Sequence, residues 1–217
     1  MTGAERLPDE IELALAHTPL GLRERLRVAF ELDQRLARIV AATKEPMLGQ
    51  MRLAWWRDML GKPVDERPTG DAVLDGIGEH LADSEGDLAK LVDGWEVLIT
   101  ADTLTDRELK AYAIGRSAPF VALLDSGIQD ISGRLRAAAS AYALADLAAG
   151  LSDGEERQLA IRHALDGARD DLPLPREARG LRILEALALR ALKRGGRPLM
   201  EGRGAGLVAM RAAIFGR

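Results

Sequence analysis

Three aspartates are the side chains of this sequence best placed to do chemistry. Asp33 falls within an arc of apolar residues at helical spacing, Asp58 shares a helix face with Met51, and Asp146 lies beside Tyr142 on a third predicted helix. A buried carboxylate is costly unless it is hydrogen-bonded or paired with a cation. We therefore expect each aspartate to pair with an arginine or a backbone donor, and the alternative is a polar cavity lined by carboxylates.

A second group of candidates lies in residues 45–60, which read EPMLGQMRLAWWRDML. Arg52 and Arg57 suit the oxygens of a diphosphate, but they suit salt bridges to acids such as Asp58 equally well. Trp55 and Trp56 are expected in the core, because a tryptophan buries a large area and only its N–H needs a partner; the alternative is stacking on a ligand. Apolar residues lie on opposite sides of this helix, so we expect all of it to be buried near the centre of the fold.

Composition excludes several kinds of site. The chain has no cysteine and only three histidines, widely separated in sequence, so we expect no metal site built from thiolates or imidazoles. Aromatic residues do not interleave the acidic stretch 64–108 or the basic stretch 176–217, which argues against nucleic-acid binding. The first twelve residues do not resemble a secretory signal, and no apolar run reaches the roughly 18 residues of a membrane span. We expect a cytoplasmic protein.

Helical periodicity dominates the chain of 217 residues, and strand signals are nearly absent. Pro46 suits the first turn of a helix, and Thr105 and Ser152 each begin a capping-box pattern with a glutamate three residues later. Gly195 suits a helix stop. These signals predict one all-α domain over residues 1–217, with residues 1–19 as a loosely attached N-terminal segment.

Residues 45–58 also resemble a known family. The pattern EPxxGQxRLxWWRD is similar to the stretch that follows the first aspartate-rich motif of the squalene/phytoene synthase family, most closely in the branch that includes complex I assembly factors. Further similar pieces are LVDGWE at residues 91–96, ELKAY at 108–112 continuing to Gly127, LP at 172–173 and FGR at 215–217. The resemblance implies an isoprenoid-synthase-type helical bundle.

The resemblance also implies which residues an enzyme would need. Catalytic members hold Mg²⁺ and a prenyl diphosphate between two paired-aspartate motifs, since Mg²⁺ prefers a few carboxylates plus phosphate oxygens. Residues 34–44 contain no acid at all, and Asp146 has no acidic neighbour three or four residues later. We therefore expect a pseudoenzyme without catalytic residues or cofactor that assists assembly or stability of a larger protein complex.

Two alternatives remain open at this stage. One is an active prenyltransferase that uses Mg²⁺ with Asp33, Asp58 and Asp146, and the other is a carrier of an isoprenoid or another lipid. The C-terminal residues 206–215 add a further possibility, because their pattern predicts a short helix with Leu207, Met210 and Ile214 along one side. We expect this helix to dock on the protein's own core; the alternative is contact with a partner or with the inner membrane as a peripheral surface.

Overall fold

The computed structural model describes residues 6–125, 131–169 and 172–215, and this part of the chain is all-α. Gly127, Gly216 and Arg217, which close two stretches quoted for the family resemblance, lie outside it. The helices are α1 (Asp9–Ala16), α2 (Leu20–Ala42), α3 (Pro46–Gly61), α4 (Ala72–His80), α5 (Glu85–Thr100), α6 (Asp106–Leu124), α7 (Ile131–Gly150), α8 (Gly154–Asp166), α9 (Arg179–Lys193) and α10 (Gly204–Phe215). Single 3₁₀ turns cover Val64–Glu66 and Arg176–Ala178.

Local signals set most helix ends. Pro46 opens α3, and the Thr105 hydroxyl and Glu108 carboxylate form the predicted capping box of α6. Gly195 follows α9 with a φ of 85°, a left-handed conformation that glycine adopts without strain. The second predicted box is wrong by one residue: the cap of α8 is Asp153, whose carboxylate accepts from the backbone N–H groups of the first turn.

Helices α5 and α6 form the most extensively packed pair of the bundle, and two glycines allow their close approach. A Cβ built on Gly94 would lie 2.8 Å from the backbone nitrogen of Arg116, and one built on Gly115 would lie 2.6 Å from the carbonyl oxygen of Lys90. Pro119 lies four residues after Gly115, so the Gly115 carbonyl loses its usual intrahelical donor at the crossing. Trp95 and Arg116, the residues that follow the two glycines, therefore lie on neighbouring stretches of backbone at the crossing.

The N-terminal segment is part of the core from Leu7 onward, so the expectation of a loose attachment is wrong for residues 7–18. Leu7, Ile11 and Leu15 are buried, and α1 packs against α9. A Cβ on Gly180 would lie 2.5 Å from the carbonyl oxygen of Ala14, so the backbones of α1 and α9 touch. Helix α9 therefore covers much of the apolar face of α1, and α2 also contacts it.

Helix α3 is not buried on all sides, which corrects the prediction made from its sequence. Leu53, Trp56 and Leu60 pack against the core, mainly on α5. The opposite face, with Met47 and Met51, is exposed. The helix therefore lies at the outside of the bundle.

The C-terminal helix α10 docks on α9 through a face of small residues. Ala205, Ala209 and Ala212 are buried, whereas Leu207 and Met210 are exposed on the other side. The expected docking on the protein's own core is therefore confirmed, but it uses the alanine face rather than the larger side chains. Across the described residues, none of the helices combines the length and apolar content that crossing a bilayer requires.

Candidate functional site

A buried cluster of polar side chains lies where α2, α5, α6 and α7 meet, and its centre is the ion pair between Asp33 and Arg116. Both side chains are fully buried. The Arg116 guanidinium donates through Nε to Asp33 Oδ1 at 2.9 Å and through Nη2 to Asp33 Oδ2 at 2.8 Å. Trp95 Nε1 also donates to Asp33 Oδ1, at 2.8 Å. Both oxygens of Asp33 are therefore hydrogen-bonded, in the bidentate geometry that arginine favours.

The remaining terminal nitrogen of Arg116 connects the cluster to α7 and towards the surface. Nη1 donates to the hydroxyl of Tyr112 at 2.7 Å and to the backbone oxygen of Ala143 at 3.3 Å. It also forms an ion pair with Asp146 Oδ2 at 2.7 Å. The side chain of Asp146 is 37% exposed, so the cluster reaches solvent at this carboxylate. One arginine thus pairs with two of the three aspartates predicted to face apolar surroundings.

Aromatic rings enclose the guanidinium. The Cζ atom of Arg116 lies 4.7 Å from the ring centroid of Trp95, 5.3 Å from that of Tyr142 and 5.8 Å from that of Tyr112. Trp95 and Tyr112 pack edge to face. Cation–π attraction to these rings supports the charge of Arg116 in a place where little water can reach it.

The electrostatics of the cluster follow from burial and from its charges. Burial opposes the charge of Arg116, but the neighbouring Asp33, Tyr112 and Asp146 outweigh it, and the pKa of Arg116 is raised. Burial also raises the pKa of Tyr112 and of Tyr142. Both phenols therefore stay neutral at physiological pH, and Tyr112 accepts a hydrogen bond from a permanent cation.

Glu10 on α1 interacts electrostatically with Asp146 at the edge of this cluster. Burial raises the pKa of the Glu10 carboxyl, and the negative charge of Asp146 raises it further. The edge of the cluster thus carries two carboxylates, Glu10 and Asp146. Only one of them, Asp146, is paired directly with Arg116.

The third aspartate and the two arginines of α3 lie elsewhere. Asp58 is exposed, which corrects the prediction that it is buried: it does share a face with Met51, but that face is the outer one. Arg57 pairs with Asp93 at 2.5 Å and with Glu96 at 2.7 Å, both on α5 and neither being Asp58. Arg52 is exposed. The structure therefore does not bring Asp58 or the α3 arginines into the Arg116 cluster.

The two neighbouring tryptophans have different environments. Trp56 is only 3% exposed and belongs to the core, as predicted. Trp55 is 40% exposed and packs edge to face against Trp56, so the expectation of burial is wrong for Trp55. With Met47 at 71% and Met51 at 64% exposure, Trp55 forms an apolar stripe on the outer face of α3. We call Met47, Leu48, Met51 and Trp55 the α3 stripe.

The buried cluster does not fit a divalent metal. Both carboxylate oxygens of Asp33 accept hydrogen bonds, from the neutral Trp95 and the cationic Arg116. Arg116 also occupies the space between Asp33 and Asp146. Within the described ranges, no group of three or more histidine, aspartate or glutamate side chains is arranged to hold a metal ion. In the Arg116 cluster, a permanent cation therefore takes the position that a Mg²⁺ ion would need between the two carboxylates.

Reasoning from sequence missed Arg116, although a signal for it exists. Between Lys110 and Asp125 it is the single charged residue, in a run rich in Ala, Leu and other apolar side chains. An arginine in such a run must find buried acids, and the predicted inward-facing Asp33 and Asp146 were the available partners.

Comparison of the chain with protein-family models, with curated proteins and with solved structures finds no match.

Proposed function

We propose that this protein is a non-catalytic helical binding protein that takes up an amphipathic helix of a larger protein partner on the α3 stripe. The observation that carries this proposal is the exposure of Met47, Met51 and Trp55 on one face of a helix whose other face is buried. Contiguous exposed apolar residues mark interaction surfaces more often than scattered ones do. Methionine and tryptophan are also enriched at protein interfaces.

The geometry of the stripe favours a helical partner. From Met47 to Trp55 the stripe follows about two turns of α3, or roughly 12 Å along the axis. Apolar anchors of an amphipathic helix recur at the same spacing, so two such helices can align their apolar faces. Flexible methionines adapt to the partner's side chains, and Trp55 supplies a rigid anchor backed by Trp56.

The Arg116 cluster supports the non-catalytic part of the proposal. An acid or base of a working site needs a proton or lone pair free to act on a substrate. Asp33 is fully buried and accepts three hydrogen bonds, so it contributes to stability rather than to reaction. The resemblance to the complex I assembly factor-like branch of squalene/phytoene synthases points in the same direction, towards assembly or stabilisation of a complex.

Site-specific cross-linking tests the partner surface. A photoreactive residue at position 51 of the full chain, in the native host, should give a defined protein adduct. The same residue at Glu24, exposed on α2, should not give this adduct. Trp55→Ser should remove the adduct at position 51. Adducts of equal yield at both positions, or none at either, would contradict the proposal.

Two further measurements separate the alternatives. If the protein is retained on anionic vesicles and Met51→Asp abolishes this retention, the α3 stripe binds a membrane surface rather than a protein partner. Release of diphosphate from geranylgeranyl or farnesyl diphosphate with millimolar Mg²⁺, abolished by Asp33→Asn or Asp146→Asn, would establish a prenyltransferase and overturn the proposal. We expect neither result.

A further inference from the structure

We propose that a groove formed by α6, α7 and α8 binds a small anionic amphiphile, a molecule with one carboxylate or phosphate group and a compact apolar body. The groove encloses about 280 Å³. None of its lining residues belongs to the Arg116 cluster or to the α3 stripe, so it is a third, separate feature of the molecule. Its floor consists of small and aliphatic side chains: Ala113, Ile114, Ala137, Ala141, Leu144 and Ala164.

The charged side chains that line the groove are basic. Lys110 and His163 line one part of it, where Asp106 Oδ1 lies 3.5 Å from His163 Nδ1. Arg136 and Arg169 line the other part, beside Gly133, where a Cβ would lie 4.0 Å from Arg169 Nη1. Among the described residues, no aspartate or glutamate lines the groove. Arg136 is therefore the cation that we assign to an anionic group held in the groove.

Arg136 is the cation on which the proposal depends. Its side chain is exposed, and within the described part of the chain it forms neither an ion pair nor a side-chain hydrogen bond. It follows Gly133 by about one turn of α7, on the face that lines the groove, so its guanidinium is available to a carboxylate or phosphate held there. Ser140, one turn further along, lines the same groove with a hydroxyl.

The size and floor of the groove define the ligand's apolar part. A volume near 280 Å³ holds roughly ten water molecules, which is at the small end of ligand pockets. A peptide helix is too large, and a bare inorganic anion leaves the alanine floor uncovered. A short acyl chain or a small ring bearing one acidic group matches both the floor and the cationic end.

Titration of the full-length protein with decanoate tests the proposal, with decanol and inorganic phosphate as probes of the two halves of the ligand. We expect saturable binding of decanoate below about 1 mM by calorimetry. Decanol and phosphate should each bind at least about fivefold more weakly, because each lacks one of the two contacts. Phosphate that binds as tightly as decanoate would reduce the groove to an anion site and overturn the proposal.

Two variants and a control locate the binding. Arg136→Glu should weaken decanoate binding by about tenfold or more through charge reversal. Ala137→Leu should do the same by filling the floor, and both positions are at least partly exposed, so the fold should persist. Arg211→Glu, which reverses an exposed arginine on α10, should change nothing. Absence of saturable binding, or binding that survives both groove variants in proteins with unchanged melting temperature, contradicts the proposal.

Discussion

Gly94 and Gly115 touch across the α5–α6 crossing, where a Cβ on Gly115 would lie 2.7 Å from the Cα of Gly94. This contact has a consequence for the buried cluster. Trp95 and Arg116 are the next residues along the two helices, and both bind the carboxylate of Asp33. Any side chain at either glycine separates the two backbones and lengthens these hydrogen bonds.

Gly94→Ala should therefore destabilise the protein by about 1–3 kcal/mol or more, because the added methyl group meets backbone atoms that cannot rotate away. Gly86→Ala, on the same helix, is the matched control, since a Cβ there has no neighbour within 4 Å. The control should be stabilised by roughly 0.5–1 kcal/mol through helix propensity. Urea unfolding of both variants measures the difference, and equal effects would disprove the close contact.

Arg116→Leu should cost about 3–5 kcal/mol, because it leaves the carboxylate of Asp33 buried without its cation. Adding Asp33→Leu should recover much of this loss, since both charges are then gone. Arg57→Leu, which breaks part-exposed ion pairs with Asp93 and Glu96, should cost about 1 kcal/mol or less. If the double variant is no more stable than Arg116→Leu alone, the ion pair is not the source of the loss.

Trp56→Ala should cost roughly 3–5 kcal/mol, as expected for a large side chain removed from the core. Trp55→Ala should have a clearly smaller effect on the melting temperature, because much of its ring is already in solvent. Quenching of tryptophan fluorescence by acrylamide gives an independent readout. The accessible fraction should fall in Trp55→Phe, because Trp56 and Trp95 are buried, and rise in Trp56→Phe, because a buried tryptophan is lost. The reverse order would mean that the two environments are exchanged.

The pH dependence of stability should differ in sign for two glutamates of α1. Burial, then repulsion from Asp146, raises the pKa of Glu10, so its charge disfavours the folded state at neutral pH. The cost disappears as pH falls through the raised folded-state pKa. Glu10→Gln should thus be more stable than wild type at pH 7, and the gain should shrink in acid.

Glu12 provides the opposite case on the same helix. Its hydrogen-bonded ion pair with Arg27 lowers the pKa of the Glu12 carboxyl, so the charged form favours folding. This contribution is present above the unfolded-state pKa and is lost as pH falls through the lowered folded-state value. Glu12→Gln should be less stable than wild type at pH 7, with the difference closing in acid. Free energies of unfolding measured at pH 7 and in acid test both predictions. A change in stability of the same sign in Glu10→Gln and Glu12→Gln at pH 7 would contradict them.

Helix ends and the all-α class were predictable because their causes are local. Pro46, Thr105 and Gly195 act within a turn of their own position, and each does so as the sequence predicts. The shift of one cap from Ser152 to Asp153 is of the same local kind, because either side chain can accept from the first turn of α8.

Burial was less predictable, because periodicity shows which residues share a face but not whether that face is covered. Helical periodicity places Met51, Trp55 and Asp58 on one face of α3. In the structure that face is exposed to solvent and is not covered by the core. The pairing of Asp33 with an arginine was foreseeable in kind. Which arginine it would be was not predictable, since Arg116 is 83 residues away in sequence and lies on α6, which meets α2 only in the folded bundle.

The backbone contact between Gly180 and Ala14 joins segments that a ribosome makes far apart in time. Contacts between residues distant in sequence form late, because a long loop must close before they add stability. During synthesis α1 emerges well before α9, so the part of α1 that packs against α9 stays uncovered until α9 has emerged. The apolar face of α1 is thus fully protected only late in synthesis, and aggregation or chaperone binding is expected there before that point.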